Sequence, residues 1–463
     1  MLDLLIKSGT IVSPETSIVA DVAVEGERIV AVTAPGLFSE AQRVIDAKGK
    51  YVIPGGIDPH VHFNMPWGPA MMQGWDRGTT SAACGGTTTI IDFAWVQSGA
   101  SALATIENRL NEPQGKAAID YALHACLMGP IAPETIGEIN QFMRDGISSI
   151  KIYMTYDWAV DDGGLYATMQ AAEQSGGVVE VHAENHYVCE WMKNEYLRRG
   201  RKDGRLVAET RPAWVEEEAI HRATFLSERT GCPLYIVHMS SQRGVQAVYE
   251  ARNRYLPVFG ETCPQYLFFT NEDVTGRDDG LRYVNFPPLK GKEDREGLWK
   301  GLIKGTMSTI GTDDATYPSE GREKIGRTLD SLQAGFSGVE VRIPLLYSEG
   351  VAKGKFSMNR LVEITSTNAA KIFGLYPRKG AVAVGSDADI VVIDPNLKRT
   401  IRLENLHGWQ DYTVYEGWDL QGFPVVTISR GKVVSENGQY VGKEGHGVFI
   451  PRSGGGALSM GIH

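Results

Sequence analysis

Two histidines separated by a single residue, His60 and His62 in the stretch GGIDPHVHFNMPWG, close an apolar run. Side chains two apart on a strand project to the same side, and neutral imidazole is a common zinc ligand. The pair is therefore a candidate grip on one divalent cation. Asp58 shares the parity; it either orients an imidazole from behind or caps the loop that follows. Histidine is scarce, ten in 463 residues, yet two more end other apolar runs: His182 in GVVEVHAE and His238 in PLYIVHMS. Each alone reads as a core histidine; together they suit a second cation. Asp313, in STIGTDDA, adds a carboxylate that can ligate metal and accept a proton.

Lys151 is conspicuous by type. It lies inside the run SSIKIYMTY, where an ammonium is costly unless neutralised or paired. One reading is a lysine that snorkels from the strand end. The other is a carbamate formed with carbon dioxide, which turns the cation into an anion with two oxygens able to bridge two metal ions.

These residues need a scaffold that gathers strand ends. Eight apolar runs can be counted: YVIPGGIDPH, TTTIIDFA, ALHACLMG, SSIKIYMTY, GVVEVHAE, PLYIVHMS, YLPVFGETC and STIGTDDA. Helical patterns such as LYATMQAAEQS, WVEEEAIHRATFLSE and SQRGVQAVYEARNRY follow several of them. Continuous apolar runs alternating with helices point to buried parallel strands. Eight such units in roughly 320 residues suggest an α/β fold, a (β/α)8 TIM barrel, whose active site lies at the C-terminal ends of the strands. Residues 1–54 and 379–463 instead read as short strands broken by Gly, Ser and Asp. They are expected to pair as one composite β-sandwich domain built from both termini, with residues 55–378 forming the catalytic barrel. The Gly-rich end, HGVFIPRSGGGALSMGIH, reads as a mobile or subunit-crossing segment.

Composition narrows the partners. At 42% hydrophobic and 22% charged the chain is ordinary globular protein. A net charge of -10 argues against a nucleic-acid partner. No apolar run is long enough to span a bilayer, and MLDLLIKSGTIV lacks the layout of a signal peptide; a cytoplasmic location without membrane contact is the expectation. Five scattered cysteines form no CxxC pair and read as buried reduced thiols.

The stretches GGIDPHVH, GGTTTIIDF, KIYMTY, VHAEN, IVHMS, GETCPQYL and GTDDA resemble the cyclic amidohydrolases, in particular the D-hydantoinase and dihydropyrimidinase branch. The resemblance runs over nearly the whole chain, both β-rich flanks included. It implies a metal-bearing barrel with a composite sandwich, assembled as a homotetramer or homodimer, acting on a small cyclic amide. The implied ligands of two divalent metal ions, zinc by the imidazole-rich set, are His60, His62, carbamylated Lys151, His182, His238 and Asp313. Tyr156 in KIYMTYD matches the tyrosine that bonds the substrate carbonyl, and Asp313 becomes the proton-transfer group. Phe63, Trp67 and Trp158 fall on loops that shape the pocket in this family.

Two positions depart from the family pattern. The chain has NFPPL where hydantoinases usually read SPPL, and AGFSGVE where they read NGGPGVE. Phe286 and Ala334 thus replace a serine and an asparagine that contact substrate. The usual hydantoin or dihydropyrimidine is put in question, and an allantoinase, a cyclic imidase and a lactam hydrolase stay open within the family. The allantoinase and dihydroorotase branches carry EPG after the second histidine, where this chain has Asn64-Met65-Pro66. From other classes, a non-catalytic assembly protein is opposed by the intact six-residue set. A thiol hydrolase using Cys84, Cys126 or Cys263 shows no legible cysteine–histidine pairing.

Overall fold

The computed structural model describes residues 1–67 and 70–457. Eight parallel strands form one sheet in chain order: Gly56–Asp58, Thr87–Val96, Asp120–Leu127, Ser149–Tyr153, Val178–His182, Leu234–Ile236, Val258–Thr262 and Met307–Ile310. Asp120–Leu127 and Ser149–Tyr153 are buried at every residue, as strands covered on both faces must be. The first and eighth strands meet just past their ends. There Val61 bridges Asp314, and backbone bonds run from His62 N to Asp314 O and from Asp313 N to His60 O, both 2.9 Å. The barrel therefore closes through the segments that carry the candidate ligands.

Helices begin where side chains can satisfy their free N–H groups. Asn185 and Ser241 each lie three residues beyond a site histidine and cap the helices His186–Arg198 and Gln242–Asn253. The caps turn the chain outward and leave His182 and His238 at the strand ends. Gly231 and Gly305, at φ 75° and 84°, stop the helices Ala213–Thr230 and Lys292–Lys304 in the left-handed conformation that glycine tolerates.

The second sheet has nine strands and is built from both ends of the chain. Tyr51–Pro54 pairs in parallel with Leu2–Val12 and antiparallel with Ile390–Thr400, so the two termini meet along one strand. Its own core includes Leu4, Ile6, Val22, Val52, Ile390, Val392 and Ile428. The run YVIPGGIDPH is thus divided: Tyr51–Pro54 joins this sandwich domain, and Gly56–Asp58 starts the barrel.

Two fully buried cations tie the chain together, Arg342 within the barrel and Lys379 between barrel and sandwich. Arg342 donates to the carbonyls of Ile57 and Ile310, both at 2.8 Å, and to Thr87 Oγ1 at 3.1 Å. Lys379 bonds Asp120 at 2.6 Å and Asp389 at 2.5 Å. The C-terminal end corrects the expectation of a mobile or subunit-crossing tail. Ile450 and Ala457 are buried in a core cluster with Ile91, Ala122 and Phe373, and Arg452 is bonded to the Leu123 carbonyl. The glycines permit this close docking: a Cβ at Gly454 would meet the Ser175 carbonyl at 2.5 Å. Residues 458–463 lie outside the described residues.

Candidate active site

The strand ends bring all six ligand-type residues into one buried cluster. His60, His62 and Asp313 offer donor atoms within 4.8 Å of one another. Asp313 Oδ1 lies 3.3 Å from His60 Nε2 and 3.2 Å from His62 Nε2. The His60 and His62 rings are 5.3 Å apart, His60 and His238 5.3 Å, and His182 and His238 4.4 Å. Lys151 points into the same space, fully buried, with Nζ 5.3 Å from the Phe93 ring and 5.2 Å from that of Tyr153. A snorkelling lysine would reach solvent; this one does not.

Backbone conformation concentrates at the same place. Tyr156, His238 and Asp313 have φ of 76°, 39° and 53°. Non-glycine residues in the left-handed region are uncommon and gather at functional sites. In each case the turn carries a side chain inward from the end of a strand.

The electrostatics leave the cluster ready for cations. Burial, reinforced by Lys151, holds His60 well below the ordinary imidazole range. Burial and the His182 ring do the same to His238, and burial lowers His182. Neutral imidazoles keep a lone pair for a metal. Burial also lowers the Lys151 ammonium, the direction that exposes a free amine. His60 Nε2, His62 Nδ1, His238 Nδ1 and Lys151 Nζ are buried and make no hydrogen bond among the described residues. Several unsatisfied nitrogens within one buried cluster are costly in a folded protein. Divalent cations with a carbamylated Lys151 fit that donor set.

Acidic residues that the sequence reading did not single out hold the histidines. Glu261 Oε1 lies 2.8 Å from His60 Nδ1 and accepts from His238 N at 3.0 Å. Its other oxygen accepts from the Tyr235 hydroxyl at 2.8 Å. Glu184 Oε2 lies 2.8 Å from His182 Nε2 and pairs with Arg211 at 2.6 Å. Their signal in the sequence was an acid at the end of an apolar run. Asp58 corrects the idea that it orients an imidazole: its carboxylate accepts from His60 N, Thr312 N and Thr312 Oγ1 at 3.2, 3.1 and 2.7 Å. It is a backbone clamp across the barrel seam.

A cavity of about 70 Å³ opens over the cluster. Tyr156, Phe286 and Ala334 line it together with Trp95, Tyr153, Asn285 and Tyr317. The Tyr156 hydroxyl sits 3.4 Å from His182 Nε2, and its ring lies 6.0 Å from that of Phe286. The Arg211 guanidinium covers both rings from behind, 5.1 Å from each. Trp158 backs Tyr156 at 5.3 Å rather than lining the cavity. Phe63 is a correction: it is fully buried and packs on Trp75, 6.0 Å away, and on Gly78, away from the cavity. Phe63 follows His62 directly, so the alternation that aims His60 and His62 at the cavity turns Phe63 to the opposite face. The backbone of Trp67 forms the two-residue strand Pro66–Trp67; its side chain lies outside the described residues. Cys126 and Cys263 are fully buried. Burial pushes the first thiol up to about 12 and the second well above the ordinary range, so neither suits a nucleophile.

Residues 51–434 match the amidohydrolase family. A D-hydantoinase from Geobacillus stearothermophilus is 41% identical over 460 residues, covering 98% of this chain and 97% of that one. A D-hydantoinase from Streptomyces coelicolor is 38% identical over 458 residues, 97% and 98% of the two chains. The crystal structure of a dihydropyrimidinase from Brevibacillus agri superposes with a TM-score of 0.95 at 39% identity, covering 98% of this chain and 99% of that one.

Proposed function

This chain belongs to the amidohydrolase family and is a hydrolase of cyclic amides, and on that premise we propose how its residues divide the work. His60, His62, Lys151 as its carbamate, His182, His238 and Asp313 hold two divalent ions, zinc by the preference of an imidazole-rich set. The observation that carries this reading is one buried cluster in which the donor atoms of His60, His62 and Asp313 lie within 4.8 Å of one another, and in which nitrogens of His60, His62, His238 and Lys151 make no hydrogen bond among the described residues. When bound, the metals supply Lewis acidity and a water acidic enough to attack near neutrality.

The protein's own groups do the rest. Asp313 faces the His60 and His62 rings and opens to the cavity. It takes the proton of the attacking water and delivers it to the ring nitrogen as the amide bond breaks. The Tyr156 hydroxyl donates to the carbonyl oxygen as charge develops there. Burial keeps that phenol protonated, and Arg211 tempers the shift. Glu261 and Glu184 fix the planes of His60 and His182. Asn285, Phe286, Ala334 and Gly335 line the cavity, and in this proposal their backbone groups meet the amide edge of a small ring. The product is a ring-opened acid.

The substrate is a hydantoin- or dihydropyrimidine-like ring. Trp95, Tyr153, Phe286 and Tyr317 give the cavity an aromatic wall, which favours a ring bearing an apolar substituent over a bare one. The relatives, named D-hydantoinases, support such a substrate; a cytoplasmic homotetramer or homodimer is part of the proposal. The test is metal-loaded protein against hydantoins, dihydropyrimidines, allantoin, imides and lactams, with elemental analysis on the same sample. We expect about two divalent ions per chain and turnover of substituted hydantoins ahead of unsubstituted dihydrouracil. A metal-free sample that is fully active would overturn the assignment.

A further inference from the structure

The structure pairs a cysteine with a histidine at the other end of the barrel from the active site. Cys84 is the last residue of the helix Trp75–Cys84, just before the second barrel strand begins. Donor atoms of Cys84, Glu340 and His407 lie within 4.8 Å of one another. Glu340 Oε1 lies 2.8 Å from His407 Nδ1, while Oε2 accepts from His407 N at 2.9 Å and from Ser81 Oγ at 2.8 Å. Both oxygens are thus committed to holding the imidazole, the role of the third member in nucleophile–base–orienter arrangements. A cavity of about 400 Å³ between barrel and sandwich is lined by Cys84 and Glu340, and by Arg399 and Arg402.

We propose that Cys84, His407 and Glu340 form an activated thiol site that exchanges with small anionic disulfides entering this cavity. The thiol proton rests on His407 as the imidazolium, and the Cys84 sulfur attacks one sulfur of the disulfide with the electron pair it keeps. A bond forms between Cys84 and that half. The ligand's own S–S bond breaks, and its other half leaves as a thiolate with the bonding pair. Excess thiol reverses the step, and no further oxidant is needed. The Cys84 and Glu340 contacts hold the imidazole up to about 10, so it is cationic beside the sulfur at neutral pH. The other titratable and charged groups facing the thiol are Arg399 and Arg402 across the cavity and Tyr440 from the strand Gln439–Tyr440. Arg402 is paired with Glu416 at 3.2 Å, so Arg399 gives the preference for an anion.

The remaining cysteines provide an internal reference. Cys126, Cys189, Cys232 and Cys263 are each at most 1% exposed. Burial pushes the first three thiols up to about 12 and Cys263 well above the ordinary range. The test uses native metal-loaded enzyme and the dianion 5,5′-dithiobis(2-nitrobenzoate). We expect one equivalent of released thiolate per chain in a fast phase, peptide mapping to Cys84, and a rate sustained down to about pH 6. Cys84→Ser abolishes the fast phase and leaves hydrolysis unchanged. His407→Gln slows it about ten-fold or more at that pH and moves the profile toward an ordinary thiol near about 8.5. The cationic disulfide cystamine reacts more slowly than the dianion. A fast phase that survives Cys84→Ser, no fast phase at all, or a native profile already following an ordinary thiol overturns the site. Equal rates for cystamine overturn its charge preference.

Discussion

Glu261 lies 2.8 Å from Nδ1 of His60 through the same oxygen that accepts from the backbone N–H of His238. One carboxylate on the seventh barrel strand thereby sets the ring plane on the first and the turn after the sixth. The proposed metal grip depends on it as much as on the ligands. Outer partners of ligating histidines are worth about 10- to 100-fold in metal affinity. Glu261→Gln, which keeps the shape but puts an amide in place of the carboxyl that holds both groups, should weaken metal retention by that factor. Competition with a graded series of chelators reads it; unchanged retention would refute the role.

Lys151 is the second test. Its amine is fully buried without a hydrogen bond among the described residues, and an ammonium there would repel the cations proposed for the surrounding histidines. Lys151→Ala should lose metal and activity together while the barrel stays folded by circular dichroism. A short carboxylic acid in excess should restore part of both by filling the vacated bridge. Full metal content in Lys151→Ala would contradict the carbamate.

Much of this arrangement was legible because two periodicities survive in the chain. Parallel barrel strands are apolar on both faces, so a polar residue inside one, such as Lys151, stands out. Period two carries His60 and His62 to one side. What was not legible depends on closure in three dimensions. Asp58 shares the histidines' parity, yet its partner is Thr312 across the seam, which no local pattern encodes. Phe63 is assigned to the pocket by family resemblance, although its parity, opposite to that of His60 and His62, already turns it away. The Gly-rich terminus looked mobile by composition, whereas Gly454 and Gly456 allow backbone to press on backbone at Ser175, Gly176 and Gly374. His407 meets Cys84 only because the excursion after the strand Ile390–Thr400 folds back on the barrel.

Tyr156 provides a test of chemistry without change in metal. Its hydroxyl faces the cavity beside His182, and its ring is held from behind by Arg211. Tyr156→Phe keeps the ring and that stacking but removes the donor to the developing oxyanion. Loss of one such donor costs about 100- to 1,000-fold in kcat. KM and metal content should stay nearly constant, since the ring still fills the site. A large rise in KM with kcat preserved would assign Tyr156 to binding alone.

The last prediction concerns the joint between the two domains. Lys379 is 2% exposed and bonds Asp120, Asp389 and Asp387 at 2.6, 2.5 and 3.1 Å. Arg430 adds a 3.0 Å bond to Asp120. Burial works to raise the Asp120 carboxyl, but Lys379 and Arg430 outweigh it and hold the group below the ordinary range. Burial likewise opposes the Lys379 ammonium, and Asp389 and Asp120 outweigh it, so Lys379 is raised. A depressed carboxylate stabilises the fold above its unfolded value, about pH 3.9, and that contribution fades as pH falls through the folded one. A raised lysine stabilises below its unfolded value, about 10.4, and that contribution fades as pH rises through the folded one. Lys379→Met removes the cation and leaves the acids buried without it, a loss of about 3–5 kcal/mol for a broken buried pair. The stability gap between native protein and variant, from urea melts, should be widest between about pH 5 and 9 and narrow toward both extremes. A gap that is small at neutrality, or that widens in acid, would show that the joint rests on apolar packing instead of this ion cluster.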